Sequence, residues 1–264
     1  MPSRRLLSLP LLLTLAAAAC GGNKPAPTPE GQAQPKPAAA PIDMATAATV
    51  KGKITLDGTA PPNAPIKMNA DPYCMTANKT PQTQETYMVG KAGELGNVFV
   101  YIEEGLGDRT FDAPKDPVVI DQQNCRYHPH VLGIMVGQPL QILNSDSTLH
   151  NIHALPTKNA EFNTGQPIKG MKTDHMFTAA EQMVPFKCDV HGWMNAYVGV
   201  MSHPYFAVTE KDGKFDLPNL PPGTYTIEAW HEKLGAQTAS VTLGAKETKD
   251  ITFTFKAAGA TATN

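Results

Sequence analysis

This chain has no apolar stretch long enough to cross a membrane as a helix. Its longest, Leu6 to Leu15, is roughly half of the ~20 residues a spanning helix needs. It has no excess of positive charge: 22 Lys and Arg stand against 24 Asp and Glu, for a formal charge of −2. Such mild acidity argues against nucleic acid as a partner. No amphipathic pattern persists for three helical turns, which excludes a helical bundle and leaves a β protein. Cysteine is scarce, with four in 264 residues, so each one can be assigned a role.

The N-terminus reads as an export signal. Arg4 and Arg5 precede the apolar run, and Ala16-Ala17-Ala18-Ala19 lead to Cys20, followed by Gly21 and Gly22. Small residues directly before Cys20 resemble a bacterial lipoprotein signal, with Ala17 where such signals usually carry Leu. The expectation is a signal peptide over 1–19 and lipidation at Cys20, with plain secretion as the alternative. Multiple acyl chains there would anchor the protein stably. Loss of the signal takes the formal charge from −2 to −4. Residues 20–47, rich in Pro, Ala and Gln, cannot bury enough surface to fold and are expected to form a disordered, extended tether.

From residue 48 onward nearly every apolar run is short, β-rich and ended by Gly, Pro, Asn or Asp. Val50 to Leu56 stops at Asp57-Gly58, and Asn97 to Ile102 stops before Gly105. Tyr225 to Trp230 follows Pro221-Pro222-Gly223, and Ile251 to Phe255 closes the series. Many short strands with such turns predict an all-β sandwich architecture.

The chemistry sits in Cys188-Asp189-Val190-His191-Gly192-Trp193-Met194, with His150 upstream. Two His, one Cys and a weak Met are the ligand set of a mononuclear electron-transfer copper site, one ion per chain. Soft sulfurs suit Cu(I) and imidazoles suit Cu(II). Trp193, between two of these residues, is expected to shield the metal. Cys74 and Cys125 remain, and in an exported protein the simplest reading is a disulfide. A rival reading makes Cys125, His128 and His130 a second metal site. His153 on a strand should face away from His150. Met171, Met176, Met183 and Met201 are read as filling an apolar rim near the site.

Residues 117–201 resemble the cupredoxins, and the amicyanin-like members in particular. The resemblance rests on Val136-Gly137-Gln138, Asn144 six residues before His150, His150-Asn151-Ile152-His153, and the short C-x2-H-x2-M loop. It implies a Greek-key β-sandwich in which His150, Cys188 and His191 are equatorial ligands and Met194 is axial. It also implies that Asn144 braces the ligand loops. A binuclear copper centre needs a second Cys in this loop, and there is none.

Asp212-Gly213-Lys214-Phe215 and Leu220-Pro221-Pro222-Gly223-Thr224-Tyr225 are similar to carboxypeptidase regulatory-like domains, small transthyretin-like β-sandwiches. Gly52-Lys53-Ile54-Thr55-Leu56-Asp57-Gly58 approximates their opening pattern. The expected organisation is therefore a β segment at 48–110 pairing with a regulatory-like sandwich at 203–256. A copper domain at 111–202 lies between them, and 257–264 forms a tail. The alternative gives Asn97 to Ile102 to the copper domain and leaves the C-terminal sandwich on its own.

These features point to a one-electron carrier, not an enzyme, lipid-anchored on the periplasmic side of a bacterial envelope (outer membrane), or else secreted. Its partner would be a redox protein such as a cytochrome or dehydrogenase. Copper storage or delivery is the first alternative. A surface module that binds glycan or protein and keeps a vestigial copper site is the second.

Overall fold

A computed structural model describes residues 42–257. The signal-like segment, Cys20, most of the linker and the tail from residue 258 lie outside them. The described residues are almost entirely β. Upstream of the Cys188 loop and its His150 partner strand come β1 (Ala48–Asp57), β2 (Pro65–Ile66), the single helix α1 (Pro72–Ala77), β3 (Gln82–Thr83), β4 (Met88–Val89), β5 (Leu95–Gly96) and β6 (Phe99–Glu104). The middle gives β7 (Val118–Gln123), β8 (Arg126–His128), β9 (Val131–Met135), β10 (Pro139–Asn144) and β11 (His150–Ala154). It continues with β12 (Phe162–Gln166), β13 (Lys172–Met176), β14 (Glu181–Lys187) and β15 (Asn195–Met201). The chain ends in β16 (Phe206–Val208), β17 (Lys214–Leu220), β18 (Gly223–His231), β19 (Gly235–Leu243) and β20 (Thr248–Lys256). No helix among the described residues is long and apolar enough to cross a membrane.

These strands form two sandwiches. One has sheets ordered β17-β1-β20 and β16-β6-β18-β19. β1 is the central strand of the first, antiparallel to β17 and parallel to β20, with Thr49 opposite Thr248 and Asp57 opposite Lys256. β6 lies between β16 and β18 in the second sheet, antiparallel to both. Each sheet thus takes an inner strand from before residue 111 and its outer strands from after residue 202. Alternation explains the packing: Val50, Ile54 and Leu56 of β1 face inward at even spacing. They meet Ile102, Ile227 and Phe253 in one core, where each fully buried side chain contributes about 1.5–3 kcal/mol.

The other sandwich has sheets ordered β13-β10-β7-β8 and β12-β11-β14-β15-β9. Ile120, Leu140, Ile152, Phe186 and Val198 fill its core. The two sandwiches meet through a third cluster of Phe99, Tyr101, Val131, Met183 and Met201. The contact depends on two glycines. A Cβ on Gly199 would lie 2.4 Å from the Phe99 ring, and one on Gly133 would lie 2.4 Å from the Phe206 ring.

This seam corrects the reading of the methionines. Met183 and Met201 pack between the sandwiches, and Met176 is exposed on β13. Strand alternation sends these side chains to faces that sequence proximity to Cys188 does not reveal.

α1 was not anticipated. It begins at Asp71-Pro72, with the Asp71 side chain accepting from the N–H groups of Tyr73 and Cys74 and Pro72 in the first turn. Both features favour a helix start. Cys74 is disulfide-bonded to Cys125, which ties the helix to the β7–β8 turn. The disulfide expectation holds, and the rival site of Cys125, His128 and His130 fails because the Cys125 sulfur is bonded. His130 turns instead to the Glu232 carboxylate at 2.7 Å and to the Asn195 carbonyl at 3.2 Å.

Candidate metal centre

Three separate segments converge at one end of the second sandwich. His150 opens β11, Cys188 directly follows β14, and Met194 directly precedes β15. β11 pairs with β14, with His153 opposite Lys187, which brings His150 beside Cys188. The loop between β14 and β15 closes on itself. Cys188 N–H donates to the Met194 carbonyl at 3.2 Å, and Met194 N–H to the His191 carbonyl at 2.9 Å. His150, Cys188, His191 and Met194 are all buried.

One potential ligand atom from each of His150, Cys188 and His191 lies within 4.8 Å of the others. The two rings approach through their Nδ1 atoms, 2.9 Å apart. Their outer nitrogens are engaged elsewhere. His150 Nε2 meets Asp146 Oδ2 at 2.8 Å, and His191 Nε2 meets Asp71 Oδ2 at 2.9 Å. A carboxylate only accepts, so each Nε2 carries the proton and each Nδ1 presents a lone pair inward. Two lone pairs 2.9 Å apart repel unless a proton or a metal cation lies between them.

The electrostatics favour positive charge at that point. Burial pushes the Cys188 thiol up, but when a proton on the inner side of His150 or His191 is hydrogen-bonded to the sulfur, that bond and backbone N–H donation outweigh it and bring it down to about 6. The sulfur is therefore a thiolate at neutral pH, the form that ligates metal. Burial likewise opposes ionisation of Asp146, yet His150, the N–H groups of Cys125 and Asn124, and the Tyr73 hydroxyl hold it below the usual carboxylate range. The His150 ring is raised because Asp146 and Cys188 outweigh its desolvation. The donor set of two imidazoles and a thiolate, with Met194 buried on the same loop, fits copper.

Other expected residues fall as follows. The Trp193 indole lies 4.9 Å from the His191 ring and donates to the Cys125 carbonyl at 3.0 Å, covering that side of the cluster. His153 stays outside the cluster, bonded to Asp189 and Glu161. Asn144 ties the His150 loop to β12, donating to the Thr148 and Gln166 carbonyls and accepting from Asp146 N–H. The tie between the two loops is made by Asn151, a correction to the role given to Asn144. Its Oδ1 accepts from Asp189 N–H at 2.7 Å and lies 3.3 Å from Cys188 Sγ. A side chain directly after His150 points across the sheet toward the Cys188 loop, whereas Asn144 lies at the far end of its own turn.

Asp71, Asp146 and Tyr73 were also missed. Asp71-Pro72 carried a helix-start signal, but nothing in its local sequence places it against a histidine 120 residues away. Two further groupings, Asp71–Cys74–His191 and Cys125–Asp146–His150, belong to the same network. Each contains a disulfide sulfur, which has no thiolate to offer.

Residues 194–256 match the carboxypeptidase regulatory-like domain family. That match is contiguous and begins at Met194, whereas the sandwich it overlaps also takes β1 and β6 from upstream. No curated protein matches the chain. Among solved structures it is similar to a Cu-containing nitrite reductase from Thermus scotoductus SA-01, at 21% identity and TM-score 0.31. That likeness covers 38% of this chain and 25% of the reductase, so the chain spans about a quarter of that protein's length. It is also similar to a methionine-to-alanine variant of amicyanin in the Cu(I) form, at 20% identity and TM-score 0.30, covering 39% and 98% of the two chains. A purple cupredoxin from Nitrosopumilus maritimus shares 26% identity at TM-score 0.28, covering 34% and 100%. With TM-scores near 0.3, the functional reading rests on the side chains and not on these neighbours.

Proposed function

We propose that the chain is a mononuclear copper protein that carries single electrons, tethered through Cys20 to the periplasmic side of a bacterial envelope. One observation carries the copper reading. Two Nε2-protonated histidines turn their Nδ1 lone pairs toward each other and toward a buried thiolate. His150, His191 and Cys188 would hold the ion, with Met194 as the weak fourth donor. Copper held there supplies reversible Cu(II)/Cu(I) chemistry and needs no substrate bond to break.

The protein's own part is to keep the donors fixed and dry. Asn151 locks the Cys188 loop to β11, the two carboxylates fix the rings, and Trp193 and α1 exclude water. A donor set held this firmly changes little between oxidation states, which suits electron transfer better than copper delivery. The partner is proposed to be another redox protein, such as a cytochrome or dehydrogenase.

Titration of the purified metal-free protein with Cu(II) tests the reading. The expected result is one copper per chain with an intense visible thiolate-to-copper charge-transfer band, abolished by Cys188→Ser. A protein that takes up copper and stays colourless would overturn electron transfer and favour copper storage or delivery. Preference for zinc over copper would overturn both.

A further inference from the structure

The two carboxylates that hold the histidines share one further relationship. Asp71 accepts from the Cys74 backbone N–H at 3.2 Å and from Tyr73 N–H at 2.7 Å, while its other oxygen takes His191 Nε2–H and the Thr148 hydroxyl at 2.8 Å. Asp146 accepts from the Cys125 N–H at 2.7 Å, the Asn124 N–H at 2.8 Å and the Tyr73 hydroxyl at 3.0 Å, as well as from His150. Cys74 and Cys125 are the disulfide partners. Each half of the disulfide therefore anchors the carboxylate that holds one of the two site histidines. Tyr73 bridges the pair through its backbone and its hydroxyl.

We infer that Asp71 and Asp146 are positioning residues of the metal centre, and that α1 with its disulfide is part of that centre and not an appendage. This rests on the copper reading above. Each carboxylate fixes its imidazole in the Nε2–H form and aims Nδ1 at the thiolate, the carboxylate–histidine–metal arrangement that raises ligand basicity. Both are anions, and Asp146 is buried. Their charge therefore stabilises the more positive oxidation state more than the less positive one. A merely structural pair would support both states equally.

Asp71→Asn and Asp146→Asn keep the size and an acceptor oxygen but remove the charge. Cu(II) affinity, Cu(I) affinity and reduction potential are measured separately in the full chain. Each variant is expected to lose about 10–100-fold in Cu(II) affinity, with a smaller loss for Cu(I). The potential then rises by about 59 mV for every tenfold difference between the two losses. Asp71→Glu and Asp146→Glu should bring the potential back toward the parent value. Equal losses in both oxidation states, with an unchanged potential, would overturn the inference while leaving the copper reading intact.

If the parent protein shows no thiolate-to-copper band, the copper reading fails on its own. The positioning claim is then read from ring 15N shifts of the metal-free protein. Protonated Nε2 at both His150 and His191 supports it. A bare Nε2 with protonated Nδ1 at either ring overturns it.

Discussion

Asn151 holds the Cys188 loop through one oxygen atom: its Oδ1 takes Asp189 N–H at 2.7 Å and lies 3.3 Å from the Cys188 sulfur, while its backbone carbonyl takes the Tyr127 hydroxyl at 2.5 Å. The residue next to His150 thus fixes the loop that carries Cys188, His191 and Met194. Asn151→Ala is expected to destabilise the protein by about 1–3 kcal/mol, because it strands the partly buried Asp189 N–H. It should also broaden or weaken the copper band. Asn144→Ala should lower stability by a similar amount and change the band less, since Asn144 ties the His150 loop to β12 and not to the Cys188 loop. Thermal melts of the metal-free variants and spectra of the loaded ones check both.

His153→Ala is expected to leave copper stoichiometry and colour nearly intact. Its ring is held by Asp189 at 2.8 Å and Glu161 at 2.6 Å, outside the cluster. Loss of the band in this variant would mean that His153 is itself a ligand.

The disulfide closes a loop with a sequence separation of 51. In the chain-entropy model such a closure contributes roughly 4 kcal/mol. Replacing Cys74 and Cys125 together by Ser should cost about 2–5 kcal/mol, read from urea denaturation of the metal-free protein. Non-reducing peptide mapping should recover one cross-linked fragment. Denatured, copper-free protein lacking Cys20 should titrate a single thiol, Cys188.

Glu181 clasps the turn after β11. Its carboxylate accepts from Lys158 N–H at 2.9 Å, Asn159 N–H at 3.1 Å and the Asn159 side chain at 3.0 Å, and from Thr157 as well. Burial opposes its ionisation, but these donors outweigh it and hold the group at about 2. A folded value below the unfolded one adds stability above the unfolded value, and that stability is lost as pH falls through the folded value. Glu181→Gln is expected to cost roughly 1–3 kcal/mol at neutral pH. The gap to the parent should close between about pH 4.5 and about pH 2, followed by denaturant melts across that range.

Residues 203–264 alone should not fold. Without β1 and β6 the fragment loses the inner strand of one sheet and one of the two inner strands of the other, and exposes raw edges that favour aggregation. Joining residues 48–108 to 203–264 through a short Gly linker, with Cys74 changed to Ser, should restore cooperative folding. A dispersed amide spectrum from 203–264 by itself would show that the downstream strands are self-sufficient.

The sequence by itself determined the features that are local in the chain. Alternating apolar residues between Gly, Pro and Asp turns dictate short strands, because side chains on a strand alternate faces. Cys188, His191 and Met194 share one loop, so their chemistry was legible from spacing alone. The Cys74–Cys125 bond followed from assigning the other two cysteines. Tertiary structure decided what depends on distant partners. The parallel pairing of β1 with β20 joins residues nearly 200 positions apart, and no local pattern encodes it. The same holds for Asp71 and Asp146, whose value lies in which imidazole each one faces. A carboxylate at a helix start or in a turn looks the same in sequence whether it meets water or a buried histidine; only the docking of α1 over the His150–His191 end, held by the disulfide, makes the difference.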